Sequence, residues 1–98
     1  MGEIKQLTVS ELQALLNKFG RDLDAVKVFL HLVEEIGELS RLVKIHRTLI
    51  HAGRTKLKHE LADVAIQTFY LASALGFDLA EAIEAKIKYN IQTGKFQG

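Results

Sequence analysis

From Leu12 onward, apolar residues recur at intervals of three and four positions, the period of an amphipathic helix rather than the alternation of a strand. No proline interrupts the pattern, and the fold class it predicts is all-α. Thr8 with Glu11, and Ser10 with Gln13, both have the reciprocal capping spacing. A first helix therefore starts at Thr8 or Ser10, stops at Gly20, and presents Leu12, Leu15, Leu16 and Phe19 as its buried stripe. A second helix begins at Asp22 or Asp24 and carries Val26, Phe29, Leu30, Val33, Ile36, Leu39, Leu42 and Val43 along its inner side. A third runs from about Thr55 to Leu75 and closes at Gly76. A fourth opens at Asp78, with Glu81 at capping spacing, and runs to about Ile91, leaving a loose tail after Thr93.

The third helix is apolar almost all round between Leu61 and Leu75, the signature of a helix buried among several neighbours. Four modest helices supply a limited core, so covering such a helix calls for a second subunit, and a homo-oligomeric bundle is expected. Gly37 stands inside the second helix, where it costs about 1 kcal/mol relative to Ala; the usual compensation is close approach of another backbone or a ligand.

At 98 residues the chain reads as one domain, residues 1–98, without internal repeat or linker. Thirteen Lys and Arg against twelve Asp and Glu leave a formal charge of +1, too little to act as a field for nucleic acid or an anionic membrane. No window approaches the length of an apolar membrane span, and no leader pattern opens the chain, so a soluble, cytoplasmic protein is expected. The absence of cysteine removes thiolate metal sites and leaves hard oxygen ligands as the available metal chemistry.

Those oxygens are concentrated. Val33-Glu34-Glu35-Ile36-Gly37-Glu38-Leu39 places three acids within one short, otherwise apolar stretch. Glu34 and Glu38 share a face one turn apart, a like-charged spacing that costs a few tenths of a kcal/mol, roughly, even when exposed. Within a turn Glu34 meets no Lys or Arg, Glu35 meets only His31, and Glu38 meets Arg41. On the third helix Glu60 and Asp63 repeat the pattern, and Asp63 is the single charge between Leu61 and Leu75, which reads as a buried Asp. An unpaired carboxylate in apolar surroundings pairs with a cation, binds a metal or takes up a proton. Oxygen-only ligands favour Mg²⁺, with Mn²⁺ as an alternative. The competing reading is a solvated acidic face neutralised by Lys and Arg of other helices. A di-iron carboxylate bundle requires Glu-x-x-His pairs, whereas these segments read Glu35-Ile36-Gly37-Glu38 and Glu60-Leu61-Ala62-Asp63.

Glu34-Glu35-x-x-Glu38 followed after a spacer by Glu60-x-x-Asp63 resembles the EExxE and ExxD signature of the MazG-type all-α nucleoside triphosphate pyrophosphohydrolases. Residues 12–19, His31-Leu32-Val33, Gly37-Glu38-Leu39, Leu61-Ala62-Asp63-Val64, Leu75-Gly76-Phe77-Asp78-Leu79 and Lys86-x-x-x-Asn90 fall where that family has similar residues. The related phosphoribosyl-ATP pyrophosphohydrolases share the Glu-rich helix, but the Lys86 and Asn90 ending is closer to MazG. The resemblance implies a homodimer or homotetramer that cleaves a nucleoside triphosphate to its monophosphate and pyrophosphate with Mg²⁺. It assigns Glu35, Glu38, Glu60 and Asp63 to the metal, Glu34 either to the metal as a further ligand or, like Glu35, to activation of water, and Lys86 and Asn90 to substrate; Arg54, from the positive charge beside the acids, is a further substrate candidate. Thr93 departs from the family, which often has Arg or Lys there. Lys88 is a further candidate, or pairs with Glu84 at helical spacing, and His46, Arg47, His51, Arg54, Lys56 and Lys58 concentrate positive charge beside the acids. His31 and His59 flank the two acidic motifs, and Phe29, Phe69, Tyr70 and Phe77 read as core. The alternative function is a non-catalytic helical oligomerisation module.

One expectation is geometric. Facing residues of an antiparallel hairpin keep a constant index sum, so a second helix continuing to Gly53 would set Glu38 opposite Tyr70. Glu60 would then lie about ten residues away, roughly 15 Å along the axis. A shared metal site requires Glu35 opposite Asp63 and Glu38 opposite Glu60, centring the turn near residue 49. The second helix is therefore predicted to break off near Lys44 to Arg47. A loop or bent segment then covers His46 to Arg54, with Leu49 and Ile50 anchored on apolar surface.

Overall fold

The computed structural model describes residues 6–20 and 23–95. Four helices account for most of them: α1 (Val9–Asn17), α2 (Ala25–Lys44), α3 (Ala52–Ala74) and α4 (Leu79–Gln92), with a 3-10 turn at His46–Thr48 between α2 and α3. There is no strand among the described residues, and no helix there is long and apolar enough to cross a membrane.

Three of the four helix starts follow the capping chemistry legible in the sequence. Thr8 and Glu11 form the reciprocal box at α1; Ser10 lies inside that helix. Asp24 caps α2 by accepting from the Val26 and Lys27 N–H groups, while Asp22 falls outside the described residues. Asp78 caps α4 through Ala80 and Glu81. At the other ends, Gly76 and Gly94 adopt positive φ. Phe77 N–H reaches the Ala72 carbonyl at 2.8 Å and Lys95 N–H the Asn90 carbonyl at 2.9 Å, the long bonds of two Schellman closures. Gly94 and Lys95 are thus tied to α4 rather than loose.

The α2–α3 hairpin is the main packing unit, and α3 also touches α1 and α4. Its register is the one a shared site demands: Glu38 and Leu42 share one cleft with Glu60 and Lys56, and Val26 and Phe29 share a groove with Leu71 and Leu75. Helix α2 stops at Lys44 although Ile45, Leu49 and Ile50 continue its apolar spacing. Local side chains divert the backbone there: His46 Nδ1 lies 2.6 Å from the Val43 carbonyl, and the Thr48 hydroxyl donates to the Ile45 carbonyl at 2.7 Å.

Helix α3 begins at Ala52, one turn before the expected Thr55, so Gly53 and Arg54 belong to its first turn rather than to a loop. His51 makes this possible with φ 48°, ψ −113°, a conformation costing a non-glycine residue about 1–3 kcal/mol, and it redirects the chain straight into the helix. Leu49 folds over Gly53, where a Cβ would meet its Cδ2 at 2.9 Å; Ile50 instead stays 70% exposed.

The buried positions differ from the expected stripes. On α2 it is Val28 and Leu32, continued by the half-buried Glu35, Leu39 and Leu42, that face α3. Val26, Phe29, Leu30, Val33, Ile36 and Val43 are exposed. The helix is apolar on two sides, and the described residues cover only the narrower one. On α1, Leu12 and Leu16 are half-buried, Leu15 and Phe19 exposed, and the buried residue is Gln13. Its amide donates to Ser73 Oγ at 3.1 Å and to the Phe77 carbonyl at 2.9 Å, while its oxygen accepts from Leu79 N–H at 2.8 Å. Ser73 in turn donates to Asn17 Oδ1 at 2.7 Å. One amide therefore pins the α3–α4 turn to α1. Of the aromatic residues expected in the core, Phe69 and Tyr70 are half-buried, and Phe29 and Phe77 are exposed.

Candidate metal centre

Two helices carry the acids and the hairpin register brings them together. Glu35, Glu38 and Glu60 each offer a carboxylate oxygen, and these oxygens lie within 4.8 Å of one another. Glu35 and Glu60 are half-buried between α2 and α3, whereas Glu38 is exposed at the rim. Glu60 Oε2 is enclosed and has no hydrogen-bond partner. Its environment pushes the Glu60 carboxyl above the ordinary carboxylate value. Loss of solvent is the largest cause, followed by the charges and closeness of Glu38 and Glu35, and then the charge of Asp63.

Among the described residues no Lys or Arg forms an ion pair with these acids; His31 lies 3.3 Å from Glu35 and 3.9 Å from Glu34. Three converging carboxylates, one enclosed orphan oxygen and a donor set of oxygen alone fit a hard divalent cation. The cluster is able to hold a metal ion.

A family model described as the MazG-like family matches residues 23–97. The chain belongs to the MazG-like family. The fold of this MazG-like chain is similar to the crystal structure of iMazG from Vibrio DAT 722, in its Ntag-iMazG form, with a TM-score of 0.73 at 26% identity. That likeness covers 88% of this chain and 97% of the other. No curated protein sequence matches the chain significantly.

The remaining residues singled out in the MazG-like sequence fall in different places. Asp63 is exposed rather than buried, because no element among the described residues covers that side of α3; it lies outside the three-oxygen cluster and acts on Glu60 through its charge. Glu34 is also outside the cluster, its side chain 76% exposed, in contrast to 16% for Glu35. His31 contacts both. Lys86 does not turn toward the acids: its Nζ sits 4.7 Å from the Tyr89 ring centroid, with Lys95 Nζ at 5.3 Å from the same ring. Asn90 Oδ1 is enclosed without a partner on α4, and Lys88 forms no ion pair with Glu84. Arg54 lines a separate groove with Thr55, Leu57, Lys58 and Leu61.

Two cations do stand beside the acids. A cleft of about 270 Å³ is lined by Glu38, Arg41, Leu42, Lys56 and Glu60. The signal for Arg41 and Lys56 was present in the spacing, since Arg41 follows Glu38 by three residues and Lys56 precedes Glu60 by four. It becomes decisive only once the hairpin sets both on the same side of the acids, toward the turn.

Proposed function

We propose that this MazG-like chain is a single-domain nucleoside triphosphate pyrophosphohydrolase, releasing a nucleoside monophosphate and pyrophosphate with Mg²⁺, for which Mn²⁺ can substitute. The observation that carries the reading is the convergence of Glu35, Glu38 and Glu60 from two helices around an enclosed, unpartnered carboxylate oxygen. In this reading Glu35, Glu38 and Glu60 hold the ion, and Asp63 adds a fourth carboxylate at the edge of the site. When bound, Mg²⁺ neutralises phosphate oxygens and favours in-line attack by water. Glu35 lies inside the cluster and Glu34 outside it, which supports Glu35 as ligand and Glu34 as the base that orients and deprotonates the water. His31, 3.3 Å from Glu35, holds that carboxylate in place. Lys86, Asn90 and Arg54 are assigned to parts of the nucleotide that extend past the cleft.

The proposal includes a soluble, cytoplasmic homodimer or homotetramer. Val26, Phe29, Leu30, Val33, Ile36 and Val43 form an uncovered face on α2. Gly37 lies on the same helix with nothing within 4 Å of where its Cβ would stand, which leaves room for a second helix to approach closely.

Phosphorus-31 NMR of a reaction with Mg²⁺ and a panel of ribo- and deoxynucleoside triphosphates tests the reading. Pyrophosphate and monophosphate resonances are expected, appearing together and only with the metal. Inorganic phosphate with a diphosphate, or no turnover of any triphosphate, overturns it; the latter would leave the oligomerisation module.

A further inference from the structure

We propose that the tip of the α2–α3 hairpin is a docking surface for an anionic phospholipid bilayer, on which the chain sits reversibly by Ile50 and the cations around it. The inference stands apart from the hydrolase reading and uses none of the metal carboxylates.

The formal charge of +1 hides a segregation along the chain. Of the thirteen Lys and Arg, six lie between residues 41 and 58, a stretch without Asp or Glu, which leaves seven against all twelve acids elsewhere. The hairpin gathers this charge at one end. Lys44 closes α2, Arg47 stands in the 3-10 turn and Arg54 in the first turn of α3; all three are exposed, and none forms an ion pair among the described residues. Along the two helices the nearest acids are Glu38 and Glu60, six residues from Lys44 and from Arg54, or roughly 9 Å away. A charge too small to act over the whole molecule is therefore concentrated at its tip.

The apex between these cations is apolar. The turn is held by the bonds of His46 and Thr48 to the Val43 and Ile45 carbonyls and by Leu49 folded over Gly53. It turns Leu49 inward and leaves Ile50 70% and Ile45 49% exposed. Just beyond the apex, Arg54 and Lys58 share a groove with Leu57 and Leu61, so cationic and apolar surface adjoin there as well. A nucleic acid would use the cations, but exposed isoleucines give it nothing, and no Phe, Tyr or Trp lies between residues 41 and 58 to stack a base. An anionic bilayer uses both: headgroup phosphates meet the long Lys and Arg side chains while Ile50 enters the boundary of the acyl region.

The test is co-sedimentation of the full chain with lipid vesicles at about 0.1 M salt, in chelator so that no metal on the carboxylates bridges to lipid. Vesicles of equal phosphatidylglycerol and phosphatidylcholine are expected to bind the chain about tenfold or more tightly than phosphatidylcholine alone. Arg47→Gln and Arg54→Gln should each weaken that binding about fivefold, and Ile50→Ser about tenfold, while Ile50→Leu keeps it. Lys27→Gln removes a charge from the other end of α2 and is expected to change nothing. Circular dichroism and sedimentation velocity of every variant should match the parent chain. No binding, equal binding to both kinds of vesicle, or Ile50→Ser within about twofold of the parent would overturn the proposal. So would tighter binding to a double- or single-stranded oligonucleotide at the same salt, which would make the tip a nucleic-acid surface. An Ile50→Ser chain that sediments as a smaller assembly would also overturn it, by placing a second copy over the tip.

Discussion

Glu38→Gln and Glu60→Gln are each expected to lower magnesium-dependent pyrophosphate release by about 100-fold or more, since a lost ligand charge should exceed the effect of losing a supporting contact. Without metal, Glu60→Gln is expected to act in the opposite direction on stability. The folded state holds the Glu60 carboxyl above its ordinary value of 4.5. Its contribution to stability is thus fully present below that pH and is lost as the pH rises through the folded-state value. A neutral Gln avoids that loss. Thermal melting with chelator at neutral pH should therefore show Glu60→Gln melting above the parent chain, with the gap closing as the pH falls toward 4.5 and below. Added Mg²⁺ should raise the melting temperature of the parent chain and leave the variant behind. Unchanged turnover in both variants would sink the assignment of these acids. A Glu60→Gln chain destabilised without metal would show that Glu60 is held by a cation from another surface.

The second large effect concerns Gln13, far in sequence from the acids. Gln13→Ala removes the partner of Leu79 N–H, the Phe77 carbonyl and Ser73 Oγ at once. Groups left unpaired in a part-buried setting should cost about 2 to 4 kcal/mol together. For a domain of this size that lowers the melting temperature by roughly 10 to 25 °C. Ser73→Ala loses less, about 1 kcal/mol, because the Gln13 contacts to Phe77 and Leu79 remain. A Gln13→Ala chain melting within a degree or two of the parent at equal protein concentration would contradict the role of this amide as the clamp between α1 and the α3–α4 turn.

The sequence disclosed the helices, their caps and the hairpin register for identifiable reasons. Thr8, Asp24 and Asp78 are short polar side chains whose capping bonds are local, so their geometry is settled within a few residues. The register followed from requiring acids on two helices to meet. That requirement placed the break near Lys44 to Arg47 against an apolar spacing that runs on to Ile50, and the helix ends at Lys44. The α3 start was not legible, because it depends on His51 taking a backbone conformation that side chains disfavour and that no local pattern announces.

The buried face of α2 was misread for a different reason. Val28 and Leu32 lie on one apolar stripe, Val26, Leu30 and Val33 on another, and periodicity alone does not say which one meets α3. Asp63 was read as buried from its apolar neighbours, but those neighbours are apolar toward a surface that the described residues leave open. Gln13 was noticed only as a capping partner; its actual contacts lie sixty or more positions away, beyond the reach of any local rule. Arg41 and Lys56 were visible as charges near the acids and became a pair only through the fold.

Anomalous diffraction from crystals grown with Mn²⁺ tests the central claim, that these carboxylates form a divalent cation site, most directly. The account predicts a strong anomalous peak bounded by Glu35, Glu38 and Glu60, at about 2.1–2.2 Å from their oxygens. Glu35, Glu38 and Glu60 instead paired to Lys or Arg of a second copy, with no peak between them at saturating Mn²⁺, would contradict it.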